Sequence, residues 1–119
     1  MKLHHIGVEV EDIDKSRQFY EQQLGYQVHA EMIIAEEKIC FLYKDQHFIE
    51  LVEPSTTTDK GTFHIAYEVD HVERVADQLT EFGARIIEGP IHARDTIKLM
   101  FMSGINGEVI ELMEVKEKC

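Results

Sequence analysis

The chain has 119 residues, 44% of them apolar and 29% charged, the proportions of one globular domain with a modest core. Twelve Lys and Arg against 23 Asp and Glu leave a formal net charge of −11, which argues against a nucleic-acid backbone or an anionic bilayer surface as a partner. No apolar run approaches the ~20 residues of a membrane span. Acidic residues also come too early in MKLHHIGVEVEDID for a signal peptide, so a cytoplasmic protein is expected. Neither Cys40 nor Cys119 belongs to a C-x-x-C pair, and no disulfide framework is implied.

In chain order, LHHIGVEV alternates apolar and polar residues and predicts a strand. The period then changes. Ile13, Phe19, Tyr20 and Leu24 fit one helical face, and Gly25 closes the helix. Strands are expected near 26–34, 38–44 and 47–53, followed by a polar linker, Pro54–Gly61. FHIAYEV begins a second strand–helix pair. Val72, Val75, Ala76, Leu79 and Phe82 form the helical face, Asp70 with Glu73 forms a capping box, and Gly83 ends the helix. Strands near 84–88, 96–102 and 108–115 complete the chain, with Glu88–Asp95 as a long loop carrying Pro90 and Arg94.

The two halves repeat. Laying His4–Val28 over Phe63–Ile86 puts His5 on His64, Ile6 on Ile65, Glu9 on Glu68 and Val10 on Val69, and FIELVE falls on VIELME. Each half reads strand, helix, three strands. The expected organisation is a single domain, 1–119, made of modules 1–54 and 61–119.

Strand parity singles out four residues, because successive side chains point to opposite faces. His5 faces away from Ile6, Val8 and Val10, and His64 away from Ile65, Tyr67 and Val69. Glu50 faces away from Ile49 and Leu51, and Glu111 away from Ile110 and Leu112. Each half thus offers one His on its first strand and one Glu on its last, on the face turned from the helix. A buried carboxylate needs a partner or a metal. Two imidazoles and two carboxylates suit zinc, nickel, cobalt, iron or manganese. The remaining histidines, His4, His29, His47, His71 and His92, have no counterpart in the repeat and are read as surface or loop residues.

HHIGVEVEDIDKSRQFYEQQLGYQV, FIELVEP, FHIAYEVD and NGEVIELME together resemble the vicinal oxygen chelate superfamily of glyoxalase I, methylmalonyl-CoA epimerase, extradiol dioxygenases and bleomycin or fosfomycin resistance proteins. The resemblance covers nearly the whole chain. It implies an α+β fold of two βαβββ modules whose curled mixed sheet surrounds a metal site. The implied metal ligands are His5, Glu50, His64 and Glu111, with one divalent ion per site. His5 is preferred to His4 because the family motif reads His, apolar, small. Glu111 or Glu50 would be the catalytic base. The implied function is a metal-dependent glyoxalase-type lyase or isomerase acting on a small carbonyl or thioester substrate, in a homodimer. The alternatives are a methylmalonyl-CoA epimerase-like enzyme and a metal-free drug-binding module of the bleomycin resistance kind. Glu9 and Pro54 stand where bacterial glyoxalase I has an Arg and an Asn, which disfavours glutathione as the thiol. Glu31 lies near the place of the epimerase's second catalytic carboxylate, and Arg94 is a candidate for meeting an anionic substrate group.

Overall fold

The computed structural model describes residues 1–56 and 62–116. The second part of the expected linker and Cys119 lie outside the described residues. The chain divides into two compact units, one of His5–Phe63 and one of Met1–His4 together with the chain from His64 onward.

The first unit carries β1 (Lys2–Glu9, from His5 on), α1 (Ile13–Leu24), β2 (Gln27–Ile34), β3 (Glu37–Lys44) and β4 (His47–Glu53). Its sheet runs β2-β3-β4-β1, antiparallel through the two hairpins and parallel between β4 and β1. The second unit carries β5 (Phe63–Glu68, from His64 on), α2 (Val72–Glu81), β6 (Arg85–Arg94), β7 (Ile97–Ser103) and β8 (Val109–Val115). Its sheet, β6-β7-β8-β5, has the same pattern, with β5 parallel to β8. The α+β class and the two βαβββ modules therefore stand as expected.

Each helix covers one face of its own sheet. Ile13 of α1 packs in one cluster with Val8, Cys40, Leu42 and Leu51 of the strands, and Tyr20 of α1 and Ile49 of β4 are half-buried beside them. Val72, Val75 and Ala76 of α2 pack on Met100, Met102 and Leu112 of the strands, with Leu79 of α2 and Ile110 of β8 half-buried. Burying one Leu or Met side chain contributes about 1.5–3 kcal/mol, so these alternate strand residues hold each helix down. Phe19 and Leu24, expected on the core face of α1, are 52% and 41% exposed. Helical geometry explains Phe19: Tyr20 lies seven residues, nearly two turns, from Ile13 and shares its stripe, whereas Phe19 is turned ~100° away. Leu24 falls on the same stripe but is the last residue of α1, next to the Gly25 cap. Phe82 follows α2 as its C-cap and is likewise exposed.

The helix starts hold a feature absent from the sequence reading. The Ile13 amide donates to Glu53 Oε1 at 3.0 Å, and the Val72 amide to Glu114 Oε1 at 3.1 Å. The last carboxylate of FIELVE and of VIELME thus satisfies an otherwise orphan donor in the first turn of its module's helix. The Asp70–Glu73 capping box does not form. His71 is the N-cap, without a side-chain cap bond, and Glu73 pairs with Lys98 at 3.0 Å. The Lys98 ammonium holds the Glu73 carboxyl below the usual carboxylate range. At α1, Asp12 accepts from the Lys15 amide at 3.2 Å, and Gly25 ends the helix with φ 78°.

The expected loop Glu88–Asp95 is mostly strand, since β6 extends to Arg94. Its pairing with β7 shifts register at three places, around Ile86/Glu88, Glu88/Ile91 and His92/Arg94. Pro90 has no N–H for a ladder, and an edge strand with bulges is where a sheet tolerates that. Gly89 is required there: a Cβ would stand 2.9 Å from the Leu99 carbonyl oxygen and 3.0 Å from Met100 Cα.

Candidate functional site

His5 shares parity with Gly7 on β1 and takes the face away from α1. Glu50 takes the same face, with Gly7 and Phe41 as its register partners. His5 Nε2 stands 3.4 Å from Glu50 Oε1, and Phe41 packs edge-on against the imidazole at 5.3 Å. His5 is 3% exposed. In the second module, His64 on β5 and Glu111 on β8 repeat the arrangement. Glu111 has Ala66 and Phe101 as register partners, and His64 Nε2 lies 3.3 Å from Glu111 Oε1. Glu111 is 7% exposed. Each module thus brings together its own predicted His and Glu on its helix-free face.

Two donors bound to one first-row ion at ~2.0–2.1 Å stand roughly 3.0–3.4 Å apart. Both pairs have that spacing, and imidazole nitrogen and carboxylate oxygen are donors such ions accept. The donor set therefore fits a divalent transition metal.

The second Glu of each motif does different work. Glu53 and Glu114 lie three residues beyond Glu50 and Glu111, an odd step along a strand, and so fall on the opposite face, where they cap the helices. The repeated E-x-x-E spacing is the signal from which this could have been read.

Glu31 is on the wrong face to join His5 and Glu50. Its register partner is Cys40, buried under α1, and Arg17 of α1 approaches it at 3.6 Å. Arg94 is exposed at the end of β6. His29, His47, His71 and His92 are exposed and His4 is half-buried; His47 shares a 2.6 Å hydrogen bond with the Tyr26 hydroxyl. Around Glu50 the first module is acidic. Burial pushes the Glu37 carboxyl above its ordinary range, and the negative charges of Glu9 and Glu50 add to the shift.

Residues 4–101 match the Glyoxalase/Bleomycin resistance protein/Dioxygenase superfamily. The chain belongs to this superfamily. A relative in sequence is the uncharacterized protein YqjC of Bacillus subtilis (strain 168), 28% identical across 97% of this chain and 93% of that protein. Among solved structures, hypothetical protein BH1468 from Bacillus halodurans C-125 is similar with a TM-score of 0.83 and 26% identity, covering 99% of this chain and 96% of that one. The methylmalonyl-CoA epimerase from Mycobacterium tuberculosis shares the superfamily fold with a TM-score of 0.79 at 19% identity, covering 98% and 89%. A Streptomyces coelicolor methylmalonyl-CoA epimerase variant, in complex with 2-nitronate-propionyl-CoA, does so with 0.80 at 20%, covering 98% and 99%. No helix among the described residues is long and apolar enough to cross a membrane.

Proposed function

We propose that this superfamily member is a metal-dependent lyase or isomerase of the glyoxalase type, moving a proton beside the carbonyl of a small carbonyl or thioester substrate. In this reading the 119 residues act as one domain, in a homodimer. One divalent ion, nickel, zinc, cobalt or manganese, is held by His5 and Glu50 from the first module and His64 and Glu111 from the second. The bound ion supplies a Lewis acid for the negative charge that develops on a substrate oxygen. The observation that supports the reading is the doubled pair: an imidazole and a carboxylate at 3.4 Å in one module and 3.3 Å in the other.

Glu111 is the base. Its carboxylate takes the proton from the substrate carbon, holds it, and returns it, a role typically contributing ~10²–10⁴-fold. Its burial limits exchange of the held proton with water. Glu50, its counterpart, is the second carboxylate available for proton transfer. Return of the proton to the neighbouring carbon makes a glyoxalase-type lyase; return to the same carbon from the other side makes an epimerase. The epimerase is the second reading, favoured by Glu9 and Pro54 at the positions where glutathione-using relatives carry Arg and Asn.

The test is metal content by mass spectrometry, then assays of methylglyoxal with several thiols and of methylmalonyl-CoA, with Glu111→Gln beside the wild type. One bound ion per chain, and turnover reduced by at least ~10²-fold in the variant, are expected. Failure to bind any of the four metals overturns the reading. Saturable binding of a small molecule without metal or turnover supports the drug-binding alternative instead.

A further inference from the structure

The helix-free faces of the two modules match at the site carboxylate and differ two residues before it. The residue opposite the site carboxylate is the same in both, Phe41 beside Glu50 and Phe101 beside Glu111. Two residues before the carboxylate, the first module has Phe48 paired with Tyr43, and the second has Val109 paired with Ser103. The second module builds the same four-stranded sheet from these small residues, so the sheet itself does not require rings there.

The rings in the first module form a continuous strip leading away from His5. Phe41 meets His5 at 5.3 Å and Phe48 at 6.4 Å, both edge-on. Phe48 in turn meets Tyr43 and His29, each at 5.0 Å. Tyr43 is 38% exposed, and His29 is exposed as well. The other end of this face is acidic, because Glu9 and Glu37 lie at the far ends of β1 and β3. One end therefore favours flat apolar surface, and the other repels anions.

We propose that the substrate carries an aromatic or comparably flat apolar group next to its chelating carbonyl end, and that Phe48 and Tyr43 select it. This rests on the metal-site reading above. The strip disfavours a short aliphatic dicarbonyl, and the acidic end disfavours a substrate with a polyanionic tail on this face.

The experiment compares two bidentate probes, benzohydroxamate and acetohydroxamate, by calorimetry on zinc-loaded protein. Wild type is compared with Phe48→Val/Tyr43→Ser, which installs the second module's residues, and with Tyr43→Ser alone, an exposed change that spares the core. Wild type should bind benzohydroxamate about tenfold tighter than acetohydroxamate, the scale of one or two aromatic pairs. The ratio should fall below about threefold in the double variant and partway in the single one, with acetohydroxamate affinity unchanged. Equal affinity of the two probes for wild type, or a ratio untouched by both variants, overturns the aromatic selection while leaving the metal site standing. If zinc is not retained, the same comparison is run on nickel-, cobalt- or manganese-loaded protein; protein that retains none of the four overturns the metal site, and this inference with it.

Discussion

Glu114 Oε1 lies 3.1 Å from the Val72 amide nitrogen, and that bond ties the strand carrying Glu111 to the first turn of α2. Glu114 is 5% exposed, so removing its carboxylate leaves a buried amide unsatisfied. Glu114→Ala should cost about 1–3 kcal/mol. Glu114→Gln keeps an acceptor oxygen and loses the charge–dipole part, about 0.3–1 kcal/mol, together with the 3.9 Å pair to the exposed Lys116. Urea unfolding midpoints at constant m-value read the difference, and equal losses in the two variants would show that the hydrogen bond is not what matters.

Glu37 makes stability depend on pH. Its carboxyl is raised in the folded chain, first by burial and then by Glu9 and Glu50. Between the ordinary carboxylate range and the raised folded value, the folded state holds a proton that the unfolded state has released. Stability from this group therefore rises as pH falls through that window and is lost again as pH climbs above it. Glu37→Gln should be more stable than wild type at neutral pH in metal-free protein, with the gap closing toward acid. Unfolding series at several pH values test this; a gap that widens in acid contradicts the assignment.

Cys40 should be chemically silent in the folded protein. It is 1% exposed, and burial pushes its thiol up to about 11. Since only the thiolate attacks, ionisation alone lowers its reactivity about 10²-fold. In a Cys119→Ser background, Ellman's reagent should label no thiol in native buffer and one in denaturant. Rapid native labelling would contradict the buried placement.

The β3–β4 hairpin turns on Asp45 and Gln46, with φ 50° and 68°. Two-residue turns that match strand twist need positive φ at both centres, which favours Asp-Gly. Gln46→Gly relieves about 1–2 kcal/mol of left-handed strain and loses about 0.5–1 kcal/mol to the unfolded chain's extra freedom. A net gain of roughly 0.5–1 kcal/mol in thermal or urea unfolding is expected. Gly25→Ala, at φ 78°, should move stability the other way.

The order of strands and helices is legible because each period is sustained over several residues and because each half repeats the other. Parity alone sets His5 against Val8 and Glu111 against Leu112, and the structure keeps both oppositions. What escapes the sequence is local or tertiary. Gly89 and Pro90 interrupt the alternation of β6, so a bulged edge strand reads as a loop. Ala35–Glu36 and Asp45–Gln46 turn without the glycine that marks such turns. At each helix start one amide is met by a strand carboxylate about forty positions away, beyond any local capping pattern. Glu31 misleads because its face follows from pairing with Cys40 across a bulge in β2, which composition does not reveal.

Each His–Glu pair closes within its own compact unit. Each donor pair is therefore carried whole by one unit, folded with the strands that bear it. A unit taken from a second copy brings the same imidazole and carboxylate, at the same spacing, as the unit it replaces. Exchange of modules between copies leaves the inventory of donors unchanged.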